Sequence, residues 1–230
     1  MTNYGFEVRN RVGFLQLDNN YIDYFLKESG SGVSISSETA VNFASTYAYN
    51  RAPIVAYRPT TTAYGMAISR YKITSGKISG FYVFPFYGES CTFDWRLYCL
   101  DYNQTPPDFG IQIFNNYGNQ IFCSTENQMK IIWGGGSRIL NVPDELNLGT
   151  PLITISHPDY ENPFYFVQPN SFAVRTSGVP PTYTRTRYRA GIQKIDSTSC
   201  YCGWIPKYFN TGTLQFWMSA MDIFCGVVPN

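Results

Sequence analysis

The first residues of the chain alternate between apolar and polar side chains. Phe6 and Val8 are separated by charged residues, and Leu15 and Leu17 are separated by a glutamine. A two-residue period is typical of a strand with one buried face. The pattern therefore predicts two short strands that pair as a β-hairpin.

The connection between these strands has the composition of a hairpin turn. Asn10 suits the start of a type I turn, and Gly13 supplies the positive φ that closes it. The same pattern recurs at an offset of 105 residues, where Asn115 and Gly118 occupy the turn of the segment 109–123. We predict a second hairpin there, with all four turn residues in a structural role.

Two further pairs of segments match in the same order. The Pro-containing apolar segment 52–59 is similar to 150–158, and the aromatic segment 92–101 is similar to 213–222. Three ordered matches indicate an internal repeat. The fold class that we predict is all-β, with two tandem, structurally related β-sandwich domains. These are residues 1–105 and 106–230, joined by a stiff, Pro-containing connection at 103–108.

Three other segments carry local signals. Ser37–Ala44 is compatible with one short capped helix or with a loop. Gly134–Ser137 is glycine-rich and predicts a flexible hairpin tip, since the Lys and helix of a phosphate loop do not follow it. Arg185, Arg187 and Arg189 alternate with uncharged residues, which predicts the solvent-facing side of one strand.

The composition narrows the function classes. Charged residues make up 14 % of the chain and the formal net charge is +1, so the basic face of a nucleic-acid-binding protein is not expected. No segment has the length and apolarity of a membrane helix, and the N-terminus lacks the apolar core of a signal peptide. We therefore expect no membrane insertion and synthesis in a cytoplasm.

The chain contains six cysteines. They are Cys91, Cys99, Cys123, Cys200, Cys202 and Cys225. Their spacing does not match a zinc site, and a cytoplasmic origin favours reduced thiols that pack as small apolar side chains.

Groups that could perform catalysis are scarce. His157 is the one histidine, and it lies at the predicted end of a strand, where the matching residue of the first repeat is Arg58. A polysaccharide hydrolase would need two carboxylates in one cleft, and the acidic residues show no paired spacing that predicts them. We expect no catalytic residues, no cofactor and no metal.

Tyrosines beside loop-like sequence offer a binding function. Tyr57, Tyr64, Tyr160 and Tyr165 are the candidate binding aromatics, because exposed tyrosine rings stack on sugars and give large contact areas. The alternative is that such rings pack in the core or on strand faces. Tyr47, Tyr49 and Tyr183 lie in similar sequence.

The repeated hairpin resembles the opening of small tail-tip or tail-fibre-associated proteins of tailed bacteriophages and prophages. The segment Tyr4–Asp18 has their aromatic-Gly-hydrophobic strand, their turn and their terminal Asp, whereas the second copy has Cys123 in place of that Asp. This resemblance carries no catalytic motif. It implies a non-enzymatic structural protein of the virion tail, made in the bacterial host cytoplasm and assembled with other phage tail proteins in a homo- or hetero-oligomer. The alternative function is a receptor- or carbohydrate-binding module that contacts a host surface receptor or glycan through exposed aromatics.

Overall fold

The structure is a computed structural model. It describes residues 7–9, 15–18, 24–35, 38–48, 52–60, 65–85, 90–100, 110–114, 120–123, 129, 133–139, 151–156, 161–167, 172–177, 184–210 and 221–228. Side chains are described for 24–35, 38–48, 52–60, 65–85, 90–100, 110–114, 129, 156, 161–167 and 191–200.

Within the described ranges the chain is all-β and contains no helix. The strands are β1 (Glu7–Arg9), β2 (Leu15–Asp18), β3 (Phe25–Ser34), β4 (Thr39–Ala48), β5 (Ile54–Pro59), β6 (Gly65–Thr74), β7 (Lys77–Pro85), β8 (Cys91–Cys99), β9 (Gln112–Phe114), β10 (Gln120–Cys123), β11 (Trp133–Ile139), β12 (Pro151–Ser156), β13 (Phe164–Val167), β14 (Phe172–Ser177), β15 (Thr184–Lys194), β16 (Ser199–Asn210) and β17 (Met221–Val228). The all-β part of the predicted fold class is therefore confirmed for the described residues.

The two predicted hairpins form and have the same register. In β1–β2, Glu7 pairs with Asp18, and in β9–β10, Gln112 pairs with Cys123. Paired residues of the second hairpin are numbered 105 higher than those of the first. In both hairpins the register shifts between the second and the third residue pair, counted from the open end. The turn residues Asn10, Gly13, Asn115 and Gly118 lie outside the described residues.

The other strands form two antiparallel sheets, to which both parts of the chain contribute. Sheet I has six strands in the order β11-β17-β13-β5-β8-β3. Sheet II has the order β12-β16-β15-β6-β7-β4, with β14 also paired to β15. In each sheet, three strands of the first part of the chain run from one edge to the centre, and three strands of the second part run from the other edge to the centre. These are β3-β8-β5 and β11-β17-β13 in sheet I, and β4-β7-β6 and β12-β16-β15 in sheet II.

The two parts of the chain meet at the centre of each sheet. In sheet I, Tyr57 of β5 pairs with Tyr165 of β13. In sheet II, β6 pairs with β15 through Met66 opposite Ile192. Strands from 1–105 and from 106–230 therefore share both sheets, while the predicted boundary at 103–108 lies outside the described residues.

The main core lies between the two sheets. On β8 the odd-numbered residues from Cys91 to Cys99 are buried, whereas Thr92, Asp94 and Arg96 are more exposed, as expected for a strand with one face on a core. The cluster contains Phe43, Val55, Tyr57, Met66, Ile68, Ile78, Phe81, Val83, Phe93, Trp95, Leu97, Cys99, Tyr165, Val167, Ile192 and Cys200. Residues of both sheets and of both parts of the chain thus pack together.

A second apolar cluster covers the opposite face of sheet I. It consists of Ala56, Tyr98, Phe164 and Phe166, against which Tyr24, Leu26, Ile54 and Met129 pack. Because both faces of β5 and β13 are covered, these central strands are apolar along almost their whole length rather than alternating.

Two local predictions were wrong. The segment Ser37–Ala44 contributes to strand β4, which pairs with β7, instead of forming a helix or a loop. Gly134–Ser137 lies inside strand β11, paired with β17, rather than at a hairpin tip. In both cases the pairing partner is distant in sequence, so the local composition does not contain the deciding interaction.

One of the sequence matches pairs two segments that occupy different places in the two sheets. The segment 52–59 forms β5 at the centre of sheet I, whereas 150–158 contains β12 at the edge of sheet II. Short apolar strands next to prolines resemble one another wherever they lie in a sheet. The arginine-alternating segment does form a strand, β15, as predicted.

Three of the six cysteines have described side chains. Cys91, Cys99 and Cys200 are present as buried thiols. The side chains of Cys123, Cys202 and Cys225 lie outside the described part, so the prediction that all six are reduced stays a prediction for them.

The buried hydroxyl of Ser34 offers a test of how the core is packed. This hydroxyl is fully buried opposite Cys91, and among the described residues it has no hydrogen-bond partner. A buried hydroxyl without a partner is destabilising. We expect Ser34→Ala to raise the free energy of unfolding by about 1 kcal/mol in urea titrations.

The control is Ser69→Ala. Ser69 is also buried, but its hydroxyl donates a hydrogen bond to Oε1 of Glu38. This variant should lower the free energy of unfolding by about 1 to 3 kcal/mol. Equal effects of the two substitutions would contradict the assignment of Ser34.

Candidate functional site

Two adjacent edge strands are irregular at the same end of the sandwich. The register of β3 against β8 shifts between Leu26 and Glu28. The register of β4 against β7 shifts more strongly, since Asn42 pairs with Gly80 and Tyr47 pairs with Ile78. Residues 43–46 of β4 therefore form a wide bulge, and such bulges bend an edge strand and leave backbone amides without ladder partners.

The carboxylate of Glu28 provides partners for this bulge. Its Oε2 accepts a hydrogen bond from the backbone N–H of Ala44 at 2.8 Å, and its Oε1 accepts one from Ser45 N–H at 3.1 Å. The Tyr47 hydroxyl donates to Oε1 at 2.7 Å. Hydrogen bonds to an ionised acceptor are stronger than neutral ones, so Glu28 fixes the conformation of the β4 bulge.

A pocket opens beside this carboxylate. It has a volume of about 580 Å3 and is lined by Lys27, Glu28, Ala44, Ser45, Thr46, Tyr47, Ala48, Cys99 and Leu100. Ser45 and Thr46 are exposed, and Tyr47 is partly exposed. The wall thus combines an ammonium, a carboxylate, two hydroxyls and one aromatic ring, and both oxygens of the carboxylate are already bonded to the β4 bulge.

The structure corrects two of the candidate binding aromatics. Tyr57 is 0 % exposed and Tyr165 is 3 % exposed, and both belong to the core where the two parts of the chain meet. The Tyr57 hydroxyl donates to the carbonyl of Met66 at 3.3 Å, and burial raises the pKa of Tyr165. Neither ring presents a face to a sugar. Tyr64 and Tyr160 lie outside the described residues.

Sequence reasoning did not identify Glu28 as a site residue. Nothing in its local sequence distinguishes it from other solvent-facing carboxylates, because its partners are 16 to 19 residues away on another strand. Tyr47 was included among the tyrosines in loop-like sequence, and that sequence is part of the β4 bulge.

A second polar cluster joins the two parts of the chain on the opposite face of sheet I. Arg58 forms an ion pair with Asp94 at 3.0 Å and donates to the carbonyl of Asn162 at 2.6 Å. Lys194 donates to the side-chain oxygen of Asn162 at 2.7 Å. The guanidinium of Arg58 also lies 4.6 Å from the ring centre of Phe164. The polar groups of this cluster therefore bind one another, which indicates a structural role.

The β9–β10 hairpin presents apolar side chains to solvent. Ile111 is 65 % exposed and Phe114 is 50 % exposed. The hairpin forms a two-stranded sheet of its own, and such a sheet is marginally stable in water without further packing. Phe114 is thus an apolar ring at the surface of a small separate sheet, and Ile111 directly precedes that sheet.

Substitution of Glu28 tests its role in the bulge. Glu28→Ala removes the acceptor for two backbone amides and a tyrosine hydroxyl, and we expect the free energy of unfolding to fall by about 2 to 3 kcal/mol. Glu28→Gln keeps one acceptor oxygen without the charge and should cost about 1 kcal/mol. Chemical denaturation measures both.

The matched control is Glu161→Ala, at an exposed position between β12 and β13. It should change the free energy of unfolding by less than about 0.5 kcal/mol. If Glu28→Ala were as neutral as this control, the carboxylate would not hold the bulge.

Neither a metal site nor a membrane-spanning helix is found in the described part of the chain. No group of three or more His, Cys, Asp or Glu side chains there is placed to hold a metal ion. No helix there is long and apolar enough to cross a membrane. Comparisons with protein-family models, with curated protein sequences and with solved structures found no match to this chain.

Proposed function

We propose that this chain is a non-enzymatic structural subunit of a bacteriophage tail, in the tail-tip or fibre-attachment region, that assembles with other virion proteins. The observation that carries the proposal is the β9–β10 hairpin, which exposes Ile111 and Phe114 outside the two large sheets. The assignment to a phage tail is supported by the resemblance of the repeated hairpin segments to small tail-associated proteins.

The proposal includes an origin by tandem duplication. The two hairpins share register and bulge position at a constant offset of 105 residues. The mirrored strand order of both sheets also supports two related units of one hairpin and a small sandwich each. In this proposal the units, residues 1–105 and 106–230, are joined edge to edge through β5·β13 and β6·β15.

A structural role agrees with the way the sheets are joined. The core cluster contains side chains from both units, so relative movement of the units would open apolar surface to water. The Arg58–Asp94–Asn162 contacts add directional hydrogen bonds across the same junction. A rigid body of this kind is suited to hold one or two hairpins at a fixed position for a neighbouring subunit.

Mass spectrometry of purified phage particles tests the assignment. The chain is expected in intact particles, in a constant ratio to the major tail protein from one preparation to the next. Its absence from particles of a phage that encodes it would contradict the proposed function.

A hairpin variant tests the contact surface. Phe114→Ser should lower the amount of the chain in assembled particles at least tenfold while leaving its melting temperature unchanged, because the side chain is half-exposed. Ile73→Ser, at a position 52 % exposed at the end of β6, is the matched control and should be incorporated normally. Equal incorporation of the two variants would remove the hairpin from the assembly contact.

The second candidate function is binding of a host receptor glycan, and the pocket beside Glu28 favours it. Thr46→Val removes one exposed hydroxyl from the pocket wall without a change in shape. Thr74→Val removes an exposed hydroxyl at the β6–β7 turn, outside the pocket, together with its hydrogen bond to the Ser79 hydroxyl. Glycan-array binding by the purified protein that is lost in Thr46→Val and kept in Thr74→Val would support this candidate. Absence of binding to every glycan of the array would count against it.

A further inference from the structure

We propose that the free edge of β3, from Ser29 to Val33, binds a second copy of this chain by antiparallel strand pairing, with the exposed Ile35 side chain at the end of the contact. The pairing would extend sheet I across a twofold axis. The inference goes beyond the proposed tail function, because it names a surface and a partner and holds for any larger assembly that contains the chain.

β3 is the terminal strand of sheet I. It is paired on one side with β8, in an unbroken register from Glu28 opposite Leu97 to Ser34 opposite Cys91. The backbone groups on its other side have no strand partner among the described residues. A regular edge of this length is a template for pairing with another strand.

This edge lacks the features that usually prevent pairing. Residues 29–35 include no charged residue and no proline, and the register contains no bulge beyond Glu28. The neighbouring edge strand of sheet II differs. In β4 the wide bulge interrupts the edge, and the Glu28 carboxylate already binds the amides of Ala44 and Ser45.

The side chains along β3 leave room for a neighbouring strand. Ser29 and Ser31 are small and exposed, and the two residues that flank Ser31 are glycines. Val33 is 49 % exposed and Ile35 is 55 % exposed. The segment therefore combines an unhindered backbone with apolar side chains at one end, whose burial would favour association.

The sequence of β3 is compatible with pairing to itself. In an antiparallel pair centred on Ser31, Gly30 faces Gly32 of the second copy and Lys27 faces Ile35. Like charges are then kept apart, whereas like charges directly opposite one another destabilise a sheet. The chain also joins its own two parts in both sheets by edge-to-edge pairing, so a second copy would continue an existing mode of contact.

Sedimentation velocity over a concentration series measures this association. One strand pair buries less than the ~800 Å2 per partner of a standard stable interface, so we expect a reversible dimer with a dissociation constant between about 10 µM and 1 mM. Hydrogen exchange of the wild-type protein should slow, as the concentration rises, for those amides of 29–33 that point away from β8. A protein that is monomeric over the whole range would overturn the inference.

Two charge substitutions locate the contact. Val33→Lys and Ile35→Lys should each weaken dimerisation at least tenfold, because a lysine on the edge is unfavourable beside a second strand. Ile73→Lys is the matched control, since it places the same charge at a position of similar exposure on another strand. Unchanged dimerisation in both β3 variants, or equal weakening by Ile73→Lys, would overturn the assignment.

Thermal melts of each variant separate a folding defect from an interface defect, and the hydrogen-exchange measurement needs no variant. The outcome is also separable from the tail function. A monomeric protein that is present in purified particles refutes the β3 contact alone. A dimer that is absent from particles refutes the tail assignment alone.

Discussion

Trp95→Ala is expected to lower the free energy of unfolding by about 4 kcal/mol. Trp95 is 6 % exposed, and its ring centre lies 5.8 Å from that of Phe43 and 5.7 Å from that of Phe81. Removal of the indole leaves a large cavity between the sheets and breaks both aromatic contacts. Urea or guanidinium unfolding followed by circular dichroism measures the effect.

A matched control is Phe114→Ala, since that ring is half-exposed on the β9–β10 hairpin. We expect it to change the free energy of unfolding by less than about 1 kcal/mol. If both substitutions cost the same, Trp95 would not be the centre of the core.

A double-mutant cycle tests the position of the indole more sharply. Gly30 lies opposite Trp95 in the register, and a Cβ at Gly30 would approach the indole ring to 2.9 Å. Gly30→Ala should therefore destabilise the wild type clearly but the Trp95→Ala protein much less. Additive effects would show that the ring does not cover Gly30.

Gly80→Ala is expected to cost about 3 kcal/mol although it adds one methyl group. A Cβ at Gly80 would lie 2.0 Å from the carbonyl oxygen of Val41 and 3.1 Å from its carbonyl carbon. Both atoms belong to the backbone of β4, next to its bulge, so no flexible side chain can move aside. β4 would have to separate from β7 and disturb the bulge that Glu28 holds.

Gly76→Ala is the control for this prediction. Gly76 has φ of +73°, and a Cβ at this position would have no neighbouring atom within 4 Å. Alanine there therefore costs about 1 kcal/mol from backbone conformation alone. Denaturant titrations of both variants compare the two costs. A Gly80→Ala protein as stable as Gly76→Ala would mean that β4 and β7 are not in close contact at this level.

The sequence determined the fold class and the two hairpins, because both depend on neighbouring residues. Alternation over a few residues specifies a strand with one buried face, and a turn between two such segments brings them together locally. The register of β1–β2 and of β9–β10 agrees with this local description. In the third match of the repeat, residues 92–99 belong to β8, whereas 213–220 lie outside the described residues.

Other assignments needed the tertiary structure, since the deciding contacts are distant in sequence. The local sequence does not show that both faces of β5 are covered, and for this reason Tyr57 was a candidate binding aromatic although it lies in the core. The segment Ser37–Ala44 has weak helical signals, and its pairing with β7 is what makes it part of a strand.

The candidate site depends on tertiary structure most strongly. Glu28 and Tyr47 lie 19 residues apart on different sheets, and the bulges of β3 and β4 bring them within 2.7 Å. Bulge positions follow from the fit of each edge strand to its partner, which local sequence does not encode. The sequence by itself thus determined that the chain folds as strands and where two hairpins lie, whereas packing between sheets decided which side chains form the core, the pocket and the free edge.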